Sequence, residues 1–175
     1  MGITTKGGDG GKTGLYMGSR VSKDSFRIEF GGVLDELGSF IGMAMSFIRQ
    51  KKIKRDLEKI REHLFIIGTE VATEGPFLGR LKKRLTARDV VLLEEKIGEL
   101  EKKLKLKTRC FSTADEGTLS SVLNVARTIA RKAERRAVTM TRKKVLKNKE
   151  IIVYLNRLSD LLFLMSICCA KSQHG

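Results

Sequence analysis

Residues 5–14, Thr-Lys-Gly-Gly-Asp-Gly-Gly-Lys-Thr-Gly, put five glycines among lysines and threonines. Glycine removes the side chain and admits positive φ, so successive backbone N–H groups can converge on one anion. Lysine adds a point charge and threonine a hydroxyl, the usual means of holding a polyphosphate and its magnesium. The competing reading is a terminal tail that is glycine-rich because nothing orders it, and composition leaves both open. Gly11-Lys12-Thr13 spells the end of a P-loop, but the glycine that pattern needs five residues earlier is Lys6. The dinucleotide pattern fails as well: counted from Gly8 and Gly10, its third glycine falls on Thr13.

Arg127, Arg131 and Arg135 recur every four residues, the spacing that puts side chains on one strip of a helix. Glu134, three residues after Arg131, is placed to orient its guanidinium, and three arginines in a row suit a chain of phosphates. An ordinary basic face is the alternative, since Lys132, Arg136, Arg142, Lys143 and Lys144 crowd the same region. Asp35-Glu36 sits inside an apolar, glycine-notched stretch, where an acid is costly unless paired, so a salt bridge to an arginine is expected. Asn156-Arg157 and Asp160 interrupt another apolar stripe. An asparagine there can hydrogen-bond a base or ribose, or set helix register.

Five stretches of helical period must position these groups. The first runs from about Ser25 to Arg49, with Phe26, Phe30, Val33, Leu37, Ile41 and Ile48 on one stripe. In it, Gly38 and Gly42 are expected to admit a neighbouring helix closely. The second carries Ile53, Leu57, Ile60, Leu64, Ile67 and Val71. After a break at Gly75-Pro76, Thr86 and Asp89 form a capping-box variant ahead of Val90, Leu93, Ile97, Leu100 and Leu104. A basic connector from Lys105 to Asp115 leads to the fourth stripe, Leu119, Val122, Ala126, Ala130, Ala133, Ala137 and Met140. The fifth is Ile151, Leu155, Leu158, Leu162, Met165 and Cys169. No strand alternation or internal repeat stands out. These stripes predict an all-α, antiparallel five-helix bundle behind a glycine-rich loop, with the alanine seam nearest its neighbours.

A chain of 175 residues with 41% hydrophobic and 31% charged residues fits one globular domain, 1–175, and excludes disorder. The net charge of +15 points to polyanionic partners or to a heavily solvated surface. A nucleic-acid partner is disfavoured by two tyrosines, no tryptophan and phenylalanines that mostly sit in apolar stripes. Three cysteines, two of them the adjacent Cys168 and Cys169, form no disulfide framework, and neither His63 nor His174 has ligand-spaced companions. No protein metal site is expected. No secretory leader and no apolar run near the ~18 residues of a membrane span is read, which predicts a cytoplasmic protein without a membrane partner.

Taken together, these residues resemble the PduO-type ATP:cob(I)alamin adenosyltransferases. The matching blocks are TTKGGDGGKTGL at the N-terminus, GSRVSKD at 18–24, LDELGSFIG at 34–42, RCFSTADEGTLSSVLNVARTIARKAERR at 109–136 and YLNRLSD at 154–160. The resemblance implies a homotrimer with sites between subunits, and transfer of the 5′-deoxyadenosyl group from ATP to cob(I)alamin with release of triphosphate. It implies that magnesium travels on the ATP phosphates. Thr5, Lys6, Gly7, Gly8, Thr13, Gly14 and Lys23 would line ATP, completed by Arg131, Lys132, Glu134, Arg135 and Asn156. Asp35 and Arg127 match a pair bridging subunits near the corrin, and Phe111 an aromatic against the lower corrin face. Catalytic roles would fall to Arg131, Asp35 and Phe111. A cobalamin reductase and an adenosylcobalamin-dependent enzyme are the implied protein partners. The chain departs from the family at Ala114-Asp115-Glu116, usually Pro-Gly-Gly, and at Asn124, usually histidine. Those changes touch the corrin side and keep open an ATP-binding bundle with a sensor or partner role.

Overall fold

The periodic stripes fold into five α-helices that bury them against one another. The computed structural model describes residues 4, 6–105 and 117–171. Its helices are α1 (Phe26–Phe47), α2 (Lys51–Val71), α3 (Ala87–Leu104), α4 (Thr118–Arg142) and α5 (Glu150–Lys171). A 3-10 turn at Gly75–Arg80 lies between α2 and α3. The principal packing neighbours are α2 with α1, α1 with α4, α4 with α5, and α5 with α3. Ala126, Ala130, Ala133 and Ala137 are all fully buried, so α4 does lie closest to its neighbours through its smallest side chains.

Each predicted stripe supplies the core: Phe30, Leu37 and Ile41 from α1, Leu57 and Ile67 from α2, and Ile151, Leu155, Leu158 and Leu162 from α5 are sealed from solvent. The capping box forms as read, Asp89 Oδ2 accepting from the Thr86 N–H at 2.9 Å. By length and hydropathy alone α5 could cross a membrane, contrary to the sequence expectation that no such run exists. Here it is a core helix packed between α4 and α3, with two thirds of that window buried.

The all-α expectation needs correcting at one place. Lys12–Gly14 (β1) and Arg20–Ser22 (β2) pair antiparallel, Thr13 opposite Val21. Strands of three residues are too short to show alternation in sequence. The hairpin is anchored, not a floating tail: the Tyr16 N–H donates to Ala72 O at 3.0 Å and the Glu74 N–H to Met17 O at 2.9 Å. Glu74 also accepts from the Ser19 hydroxyl at 2.6 Å, which holds its carboxyl below the usual range. Gly18 permits this contact, because its φ is +148° and a Cβ there would lie 2.7 Å from the Glu74 side chain.

Candidate active site

The glycine-rich segment is shaped by short-range turns and by one arginine. The Asp9 N–H donates to Lys6 O and the Gly11 N–H to Gly8 O, while the Lys23 N–H closes onto Gly11 O at 2.9 Å. Gly11 sits at φ +74°, where a side chain would be strained. Arg20 reaches across the hairpin and donates through Nη2 to the carbonyls of Gly7 and Lys12. With those carbonyls taken up, what the segment presents is its cations and the N–H groups that these turns and the β1–β2 ladder do not use. The ammonium of Lys23 lies against Gly8: a Cβ there would sit 3.1 Å from Nζ. Of the residues the sequence singled out, Gly8 and Lys23 are thus brought together, while Lys6 and Gly7 lie in the turn before β1 and Thr13 and Gly14 lie on β1 itself. Thr5 and Phe111 lie outside the described residues, as do Ala114-Asp115-Glu116.

A second arginine fixes the base of this lobe. Arg27 donates through Nη1 to the carbonyls of Val71 and Thr73, joining α1 to the end of α2. Burial pushes its guanidinium below the ordinary arginine range, and the charge of Glu74 opposes that shift. Neither hairpin strand packs substantially on α4 or α5. Among the described residues no hydrogen bond or ion pair joins the loop to Arg131 or Arg135.

On α4, Arg131 and Arg135 are exposed and have no side-chain partner among the described residues. Glu134 does not hold Arg131, as the spacing suggested; its Oε1 accepts from Asn156 Nδ2 at 3.1 Å. Arg157 Nη1 in turn donates to Asn156 Oδ1 at 2.7 Å. Lys132 lies 2.8 Å from Glu36 across the α1–α4 contact. The expected arginine partner for the acidic pair is thus a lysine, and it serves Glu36 alone. Asp35 is exposed on α1, which relieves the burial cost that had demanded a partner. Arg127 is half-buried and donates through Nε to Asn124 Oδ1 at 2.7 Å.

Within the chain no described helix packs closely on Gly38 or Gly42. A Cβ at Gly38 would meet nothing within 4 Å, and one at Gly42 would meet only the end of Arg61. Gly31, Gly38 and Gly68 instead floor an open groove of about 820 Å³ between α1 and α2, lined also by Tyr16, Asp35 and Phe65. Phe65 is 76% exposed and Tyr16 64%. Sequence reasoning missed this groove. Its signal is Phe65, a large aromatic one position off the α2 stripe. Among the described residues no group of three or more His, Cys, Asp or Glu side chains could hold a metal ion.

Comparison with known proteins bears on these surfaces together. A sequence model of the family described as cobalamin adenosyltransferase matches residues 3–169. A corrinoid adenosyltransferase from Citrobacter freundii is 38% identical over 165 residues, covering 94% of this chain and 92% of that protein. One from Bacillus subtilis (strain 168) is 36% identical, covering 93% and 83% respectively. Among solved structures, a variant of the PduO-type ATP:corrinoid adenosyltransferase from Lactobacillus reuteri, complexed with cobalamin and ATP, superposes with a TM-score of 0.85 at 30% identity. That match covers 99% of this chain and 93% of the other.

Proposed function

We propose a working site from the premise that this chain belongs to the cobalamin adenosyltransferase family. It transfers the 5′-deoxyadenosyl group of ATP to the cobalt of cob(I)alamin, giving adenosylcobalamin and triphosphate. The cobalt attacks C5′; a Co–C bond forms, the C5′–O bond breaks, and the electron pair leaves on triphosphate. Cob(I)alamin is itself a strong nucleophile, so the protein needs no serine, cysteine or histidine base. What it must supply is alignment of C5′ with cobalt and stabilisation of the charge that develops on the leaving triphosphate.

The residues available fit that division. Thr5, Lys6, Gly7, Gly8, Thr13, Gly14 and Lys23 take the triphosphate, through loop N–H groups and two ammonium groups. Arg131 and Arg135 take it from the other side, with Lys132, Glu134 and Asn156 completing the ATP contacts. A well-placed donor of this kind contributes about 3–4 kcal/mol to the transition state. Magnesium fits as a companion of ATP held through phosphate oxygens, with the Thr13 hydroxyl as the loop's hard oxygen donor. When bound it neutralises part of the triphosphate charge.

The observation that carries this arrangement is that Arg131 and Arg135 stand exposed without a partner among the described residues, and that no bond there joins them to the glycine loop. A homotrimer, in which the loop of one subunit covers the strip of the next, unites them. The groove floored by Gly31, Gly38 and Gly68 supports such assembly, since it exposes Phe65 and Tyr16 beside Asp35. Asp35 there meets Arg127 of a neighbouring subunit, whose Nη nitrogens are left over after Nε engages Asn124. The family resemblance assigns Phe111 to the lower corrin face, where an aromatic would exclude an axial ligand.

The test is incubation with ATP, magnesium and chemically reduced cobalamin, following the corrin spectrum and triphosphate. Conversion to the adenosylcobalamin spectrum with one triphosphate per turnover is expected. Bound ATP without spectral change would favour the sensor reading.

A further inference from the structure

We propose that Arg157, steered by Glu94 of α3, is a positioning residue that fixes the orientation of the Asn156 amide toward ATP. The inference rests on the reading that Asn156 and Glu134 line the nucleotide. Its basis is a continuous chain of hydrogen bonds across three helices. Glu94 Oε1 accepts from Arg157 Nε at 2.9 Å, Arg157 Nη1 donates to Asn156 Oδ1 at 2.7 Å, and Asn156 Nδ2 donates to Glu134 Oε1 at 3.1 Å.

An asparagine amide carries an acceptor and a donor in almost the same shape, so only its neighbours decide which way it points. Here a guanidinium stands on one side and a carboxylate on the other. Turned over, the amide would set its oxygen against Glu134 and its NH2 against Arg157, two repulsive contacts in place of two attractive ones. With Arg157 in place, one orientation survives: a second Nδ2 hydrogen and a second Oδ1 lone pair remain for ligand, in fixed positions.

Consecutive residues on a helix point about 100° apart and do not ordinarily meet. Arg157 meets Asn156 because its fork is drawn to α3, Nε toward Glu94 and Nη1 toward the amide. A lysine has no rigid fork with which to serve both. The Arg157–Glu94 pair is itself part-exposed, at 36% and 44%, where an ion pair contributes little to stability. Its effect is therefore expected in ligand geometry more than in folding. It also gives α3, which carries none of the ATP contacts above, a part in setting the site.

The test compares four variants by KM for ATP, KM for cob(I)alamin and thermal midpoint. Arg157→Lys is expected to raise KM for ATP about tenfold, with the corrinoid KM and the midpoint near wild type. Arg157→Glu with Glu94→Arg keeps an α3–α5 ion pair, and so keeps the midpoint. It places a carboxylate beside Asn156 that turns the amide over, so ATP KM should stay raised. In an Asn156→Ala background, Arg157→Lys should change ATP KM no further. Wild-type ATP KM in the swapped pair would overturn the proposal. So would an Arg157→Lys effect that persists undiminished without Asn156. Asn156→Ala with normal ATP KM would instead remove the premise that this amide touches ATP, a failure separable from the other two.

Discussion

Two charged clusters in this molecule are built on opposite plans. At the end of the bundle Glu70 is 3% exposed and saturated with donors. Arg84 donates to it through Nε at 3.0 Å and Nη2 at 2.7 Å, Asn148 Nδ2 reaches it at 3.1 Å, and the Leu85 N–H at 3.3 Å. On α4, Arg131 and Arg135 stand exposed, with no partner among the described residues. A buried charge without partners would cost several kcal/mol, so the first cluster had to close on itself. The second stands open, as the proposed role of receiving a triphosphate from outside requires. Sequence charge alone does not separate the two; satisfaction does.

Substitutions in the two clusters should therefore fail in different assays. Arg131→Ala should lower adenosylation by about 10²–10³-fold in kcat while leaving the thermal midpoint unchanged. A variant that loses activity only because it unfolds would erase the contrast. Glu70→Ala should do the reverse. It takes the carboxylate from Arg84 and the Leu85 N–H, leaving Asn148 only its bond to Leu85 O, and should cost about 2–4 kcal/mol in urea unfolding. Folded Glu70→Ala protein should retain normal ATP KM.

Smaller effects sharpen the same contrast. A Cβ at Gly38 would meet nothing within 4 Å beyond its own helical turn, so Gly38→Val should leave the helix folded. If the groove receives a neighbouring subunit, sedimentation should show the assembly weakened. Glu36→Gln removes an exposed partner of Lys132 and should change stability by less than about 1 kcal/mol.

His63 supplies a pH signature for the closed plan. It is buried against Tyr154, whose hydroxyl lies 3.0 Å from Nδ1, with Asp89 3.4 Å from Nε2. Burial lowers its pKa from the ordinary 6.5, aided by Lys59 and Lys83, while Asp89 and Glu62 oppose the shift. A histidine lowered on folding is favoured neutral, so its contribution is full above pH 6.5 and is lost as pH falls through the lower folded value. Thermal midpoints should fall below pH 6.5, and His63→Gln should flatten that part of the profile.

The helices were legible because apolar residues repeat at helical spacing. The first helix, read from about Ser25 to Arg49, runs Phe26–Phe47, the usual fraying of a terminal turn. What was not legible depends on contacts distant in sequence. Glu134 has Arg131 three residues away yet bonds Asn156 on another helix. The glycines of α1 read as a seam for a packed helix, whereas Gly31 and Gly38 line an open groove, a difference that only the position of α2 decides. The loop composition permitted a phosphate cradle, but Arg20, which holds two of its carbonyls, sits in a strand too short to announce itself.

The central claim is that loop and strip complete one another across subunits. Lys23→Ala damages the first surface and Arg131→Ala the second, and each should be inactive alone. Co-refolded in equal amounts, the two should regain about one intact interface in four in a cyclic trimer, hence about a quarter of wild-type activity. Activity that stays at the level of the separate variants, with mixed trimers demonstrated, would place both surfaces in one chain and contradict the account.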